Sequence, residues 1–111
     1  MKLWLDDVRP PTRYGLVGWT WAKNYQEAIE LLQTGTVTHA SFDHDLSVEA
    51  TLGKPVPGEK TGYDVLLFLE ENKIWPEKIW IHTMNPAGRD RMKALLDAND
   101  IPYTVWIPTI K

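Results

Sequence analysis

The chain has 111 residues, enough for one domain with one modest core. It carries 43% apolar and 24% charged residues, a formal net charge of −3 and no cysteine. These values exclude a disulfide framework, a thiol nucleophile and a Cys-based zinc site, and they argue against strong duplex DNA binding.

No run approaches the ~20 apolar residues of a membrane helix. The opening Met-Lys-Leu-Trp-Leu-Asp-Asp does not read as a signal peptide. A cytoplasmic protein with no membrane attachment is the expectation. Residues 2–5 read as a first strand, with Asp6 and Asp7 at its carboxyl end. Residues 8–18 hold two prolines, two glycines and two arginines and read as a loop. Residues 19–23 alternate large aromatics with small or polar side chains, as a second strand does. Asn24 followed by Glu27 is a capping-box arrangement. Ala28, Ile29, Leu31 and Leu32 then give a helix one apolar face, and Gly35 stops it.

Residues 36–42 read as a third strand that runs into Asp43-His44-Asp45. Residues 47–60 form a long polar insert containing Gly53, Pro55, Pro57 and Gly58. Inserts of that length inside a compact domain are usually functional or disordered, and this one is expected to close over the adjacent site as a lid. Thr61 with Asp64 begins a second helix, apolar around most of its girth over 65–69. Residues 78–83 form a fourth strand with consecutive apolar residues Ile79-Trp80-Ile81, the pattern of a central parallel strand. It ends in His82-Thr83. Asn85-Pro86 is a helix start with Asn as cap and Pro at the first position. That helix runs to about Asn99, with Met92, Leu95 and Leu96 facing in. Residues 103–107 form the last strand. No repeat or domain boundary is visible, so residues 1–111 are expected to be one domain.

Strands alternating with helices imply an α/β fold with a parallel sheet. Asp6-Asp7, Asp43-His44-Asp45 and His82-Thr83 then converge on one carboxyl edge, where ligands of open α/β sheets bind. Adjacent carboxylates repel unless a cation joins them. Hard oxygen donors in a partly hydrated site suit Mg²⁺ or Mn²⁺, with Asp6, Asp7, Asp43 and Asp45 as the candidate ligands. The bland alternative is a strand-to-loop turn with solvated acids, Asp7 pairing Arg9. His44 and His82 on one edge could act as acid and base on a phosphate ester, or His82 could be a core histidine bonded to backbone. Thr83, Asn85 and the free N–H groups after Pro86 make an anion site to which Arg9 and Arg89 could add bidentate contacts. Alternatively Asn85 is only a cap and the arginines are surface charges. Of the six tryptophans, Trp4, Trp80 and Trp106 fall inside strands. Trp19, Trp21 or Trp75 could stack on a base or meet a partner.

Four motifs carry a family resemblance: Leu5-Asp6-Asp7-Val8-Arg9-Pro10-Pro11, Phe42-Asp43-His44-Asp45-Leu46, Thr61-Gly62-Tyr63-Asp64, and Ile81 through Arg89. Together they resemble the receiver domains of two-component signalling. They resemble more closely the cyclic-phosphate-processing receiver-like family of bacteria and their phages. The resemblance implies a flavodoxin-like three-layer fold with a five-stranded parallel sheet in order 2-1-3-4-5. It implies three main helices, the first and last receiver helices being absent. It also implies that Asp6, Asp7 and Asp43 correspond to the metal and phosphoacceptor acids of receivers. The added His44 and His82 suggest a hydrolytic site for cyclic phosphate ends. The receiver lysine at the end of the fifth strand is not visible, since Ile107-Pro108 stands there.

The leading expectation is a metal-dependent phosphoesterase-like hydrolase domain, with His44, His82 and Asp43 catalytic. Its substrate would be a phosphate-bearing nucleotide or RNA end. The alternatives are a phosphoacceptor modified on Asp43 and a module that binds a phosphate ligand without chemistry. Right-handed crossovers in this strand order put all three helices on one face. The other face is expected to support a homodimer, with Trp4 or Trp106 in the contact.

Overall fold

A computed structural model describes residues 1–46 and 60–106. In chain order the elements are β1 (Lys2–Leu5), a short 3₁₀ helix (Pro11–Tyr14), β2 (Trp19–Ala22), α1 (Tyr25–Leu32) and β3 (His39–Phe42). After the insert come α2 (Gly62–Asn72), β4 (Lys78–Ile81), α3 (Pro86–Ala98) and β5 (Thr104–Val105). All pairings are parallel, and the sheet order is β2-β1-β3-β4-β5. The fold is the receiver-like α/β fold expected from the sequence. The insert expected as a lid and the positions after Trp106 lie outside the described residues. Among the described residues, no helix is long and apolar enough to cross a membrane.

The expected caps form. The Asn24 side chain accepts from the Glu27 N–H at 2.9 Å, and Asp64 accepts from the Thr61 N–H at 2.7 Å. Asn85 accepts from the Gly88 N–H at 3.0 Å, with Pro86 at the first helical position. Each cap uses a backbone donor that the helix cannot satisfy itself. β1 has the expected bounds, and the later strands are shorter than expected. β3 begins at His39 rather than at 36: the register pairs His39 with Lys2 on one side and Lys78 on the other, and the Thr38 N–H donates to the Met1 carbonyl. The loop over 8–18 contains the 3₁₀ turn, which buries Pro11 and Tyr14.

Strand side chains alternate between the two faces. Leu3, Leu5, Ala40, Phe42, Ile79 and Ile81 pack into one core with the apolar residues of the helices. α2 packs against both α1 and α3, so the helices form one layer. The opposite parity is aromatic. Trp4 packs edge-on to Trp19 and tilted against Tyr14 and Trp106, and Trp19 meets Trp80 edge to face. Trp4 is fully buried within the chain, so it is not available to a partner as expected. The loop and the tryptophans leave a cleft of about 150 Å³ lined by Trp4, Leu16, Trp19, Ser41, Trp80 and Trp106.

Candidate active site and cation cluster

The residue after each strand continues the ladder by one rung. Asp6 N–H donates to the Ala22 carbonyl, Asp43 N–H to Leu5, His82 N–H to Phe42 and Trp106 N–H to Ile81, at 2.9–3.0 Å. That rung sets Asp6, Asp43 and His82 side by side at the carboxyl edge, on the aromatic side of the sheet. All three are buried: Asp6 and His82 are 0% exposed and Asp43 is 4% exposed.

Asp6 is saturated with donors. Its Oδ1 accepts the Val8 and Arg9 N–H groups at 3.0 and 2.8 Å, which turns the chain sharply after β1. Its Oδ2 accepts Arg9 Nε at 2.9 Å and lies 3.2 Å from His82 Nε2. The Arg9 guanidinium also reaches Asp43, with Nη2 at 3.2 Å from Oδ2. Asp43 Oδ1 accepts the His44 N–H at 2.8 Å, and the Thr83 hydroxyl also bonds this carboxylate. Arg9 therefore joins the two acids, rather than pairing with Asp7. Two indoles fix the turn: Trp21 Nε1 donates to the Asp6 carbonyl and Trp4 Nε1 to the Arg9 carbonyl, each at 2.7 Å.

The electrostatics split the acids. Burial pushes the Asp6 carboxyl up, but the His82 hydrogen bond, the Arg9 backbone N–H and the Arg9 charge outweigh it and hold Asp6 below its ordinary pKa. Burial pushes Asp43 up to about 7, helped by the Asp6 charge and opposed by Arg9, the His44 N–H and Thr83. Burial holds His82 below its ordinary pKa despite Asp6. A neutral His82 beside an ionised Asp6 donates Nε2–H to it. Nδ1 then accepts from the Ser41 hydroxyl, 2.7 Å away.

His44 sits on the same edge in a different setting. Its Nδ1 lies 2.9 Å from Asp45 Oδ1, and Asn85 Nδ2 donates to that oxygen at 3.3 Å. Its Nε2 is buried and has no hydrogen-bond partner among the described residues. The ring lies against the first turn of α3, where a Cβ on Gly88 would stand 2.6 Å from its Cδ2 and 2.7 Å from Nδ1. Gly62 plays the same part on α2: its N–H donates to the His44 carbonyl at 2.8 Å, and a side chain there would overlap the Asp43 carbonyl.

The expected site residues are thus largely gathered. One oxygen from each of Asp6 and Asp43 and one nitrogen of His82 lie within 4.8 Å of one another, a set that could hold a metal ion. Asp7 and Asp45 are not in that cluster. Of the expected phosphate contacts, Arg9 and Thr83 touch Asp43. Arg89 Nη2 donates to the Thr83 carbonyl at 3.2 Å, and Asn85 is spent on Asp45 and the cap. The sequence reading gave no role in this site to Ser41 or Trp4, and it placed Gly62 and Gly88 only within the family motifs. Ser41 stands two positions before Asp43, hence on the same face, and that spacing was the available signal.

The donor set could hold a metal ion. Two ionised carboxylates against one guanidinium and a neutral imidazole leave one negative charge in excess, which adds to the burial that pushes Asp43 up to about 7. No curated protein and no solved structure matches the chain significantly. A family model described as the cyclic-phosphate processing receiver domain matches residues 1–98, from β1 to the end of α3, and so takes in every residue of this site. The chain belongs to the cyclic-phosphate processing receiver family.

Proposed function

We propose that the chain is a phosphoesterase-like domain that hydrolyses cyclic phosphate, carried by a 2′,3′-cyclic nucleotide or an RNA end. The observation that carries this reading is the charge of the Asp6–Asp43–Arg9–His82 group. With a divalent cation added, one negative charge in excess becomes one positive charge in excess. A cyclic phosphodiester is a monoanion and balances it. When bound, the cation neutralises phosphate charge and acidifies a water. Asp6 and Asp43 would hold it, with Asp7 and Asp45 close in sequence. Carboxylate and water ligands suit both Mg²⁺ and Mn²⁺.

The chain's own residues then have separable tasks. Arg9, Thr83 and Arg89 orient the phosphate. His44 is the base: Asp45 holds Nδ1–H, which leaves the Nε2 lone pair to take a proton from water. Water oxygen forms the new P–O bond, one ring P–O bond breaks, and the leaving oxygen takes a proton. His44 returns that proton to the leaving oxygen, and His82, with no exposed atom, positions Asp6 through its Nε2–H.

A second reading has Asp43 as a phosphoacceptor, supported by its place after β3 with a threonine hydroxyl upon it. The test is turnover of adenosine 2′,3′-cyclic phosphate with Mn²⁺ or Mg²⁺, beside exposure to acetyl phosphate. Multiple turnovers that fall in His44→Ala support the first reading. Stable phosphate on Asp43 without turnover replaces it with the second.

A further inference from the structure

The two acids present their oxygens unequally. Oδ1 of Asp6 faces the Val8 and Arg9 N–H groups, and Oδ1 of Asp43 faces the His44 N–H. Oδ2 of each faces Arg9, at 2.9 and 3.2 Å. A cation that used the Oδ2 atoms would stand where the guanidinium now stands. Like charges at that range repel strongly in a buried site.

We propose that Arg9 is a built-in counter-cation that a divalent ion displaces from Asp43, and that displacement delivers its guanidinium to the phosphate of the substrate. The inference rests on the cation reading above. The backbone of Arg9 cannot follow the side chain, because its N–H is held by Asp6 at 2.8 Å and its carbonyl by Trp4 at 2.7 Å. The side chain is 15% exposed, so the way out leads to the open edge of the site. There the flat fork of N–H donors remains within one side-chain length of Asp43, and it suits a phosphate better than a point charge does. Cation binding thus prepares anion binding, and the two are coupled in order.

The coupling has a signature. Mn²⁺ is titrated calorimetrically into the wild type, Arg9→Gln, Arg9→Lys and Asp43→Asn, and inorganic phosphate is then titrated into each Mn²⁺-loaded form. Arg9→Gln should bind Mn²⁺ on the order of 10-fold more tightly and phosphate on the order of 10-fold more weakly, a usual size for coupled sites. Arg9→Lys keeps the charge but cannot span both acids, so it should fall between, and it carries the test if Arg9→Gln does not fold. Asp43→Asn should weaken Mn²⁺ binding, which places the ion. If Asp43→Asn weakens Mn²⁺ binding while neither Arg9 variant tightens it, the displacement idea is overturned and the cation reading stands. If no form binds Mn²⁺, both fall.

Discussion

Trp4 stacks face to face on His82, with ring centroids 3.9 Å apart and planes 4° from parallel. Between Trp4 on one side and the hydrogen bonds of Ser41 and Asp6 at its two nitrogens, the imidazole cannot turn. The indole is fully buried and also braces Tyr14 and Trp106. Trp4→Ala should therefore lose about 3–5 kcal/mol in chemical denaturation, the range for deleting a large core aromatic. Trp4→Phe keeps a ring against His82 and should lose distinctly less. Equal losses in the two variants would show that the stacking face does not matter.

Asp43 should make the metal-free protein less stable as pH rises. Its folded pKa is about 7 because of burial and Asp6, whereas the unfolded group titrates near ~4. Between these values the folded form holds the extra proton, so stability falls through this window as pH rises. The share of Asp43 is at most about 4 kcal/mol. His82 acts in the opposite sense, because its folded pKa is lowered and its contribution is lost as pH falls below its ordinary value. The difference between wild type and Asp43→Asn separates them. Asp43→Asn should be more stable than wild type at pH 8 by about 2–4 kcal/mol and about equal at pH 4. A difference that is the same at both pH values would mean that Asp43 titrates normally.

Asp6, Asp43 and His82 were legible as neighbours because each ends a short apolar run, and parallel pairing stacks such ends on one edge. The helices were legible from their caps, since Asn24, Thr61 and Asn85 each sit directly before an apolar period. What Arg9 does was not legible. Its contact with Asp43 spans 34 positions, and a long side chain can point several ways. Nor was the burial of His82, which depends on Trp4, a residue 78 positions earlier whose ring direction only the fold fixes. The bare sheet face was inferred from missing helices. Tyr14, Pro11 and the tryptophans fill much of it, because one strand parity carries Trp4, Trp19 and Trp80, which pack on one another and on the loop.

Gly62 and Gly88 should resist replacement, and unequally. Glycine inside a helix normally weakens it by about 1 kcal/mol relative to alanine, so alanine should help at an ordinary position. At Gly62 the new methyl would overlap the Asp43 carbonyl, which is backbone and held in the sheet. At Gly88 it would meet the His44 ring, a side chain that must shift, rather than backbone held in the sheet. Gly62→Ala should thus lower the melting temperature clearly. Gly88→Ala should change it little, yet shift the His44 ring resonances and reduce turnover. A stabilised Gly62→Ala would refute the close approach of α2 to the site.

His44 and His82 should part company when each is replaced by alanine. His44 bonds Asp45, lies on Gly88 and belongs to no cation cluster among the described residues. Its loss should lower the rate of cyclic phosphate hydrolysis by roughly 10²–10⁴-fold, the usual contribution of a general base, and leave Mn²⁺ affinity nearly unchanged. Asp45→Ala should reproduce part of that loss, since the ring then lacks the acceptor that fixes its tautomer. His82 shares Asp6 Oδ2 with Arg9 and supplies the nitrogen of the cluster. His82→Ala should therefore weaken Mn²⁺ binding as well as turnover, and excess Mn²⁺ should restore part of the activity. In His44→Ala the same excess should restore nothing. The decisive measurement is the rate of each variant against Mn²⁺ concentration. If His44→Ala keeps the full rate at saturating Mn²⁺, His44 is not the base, and the phosphoacceptor reading of Asp43 takes precedence.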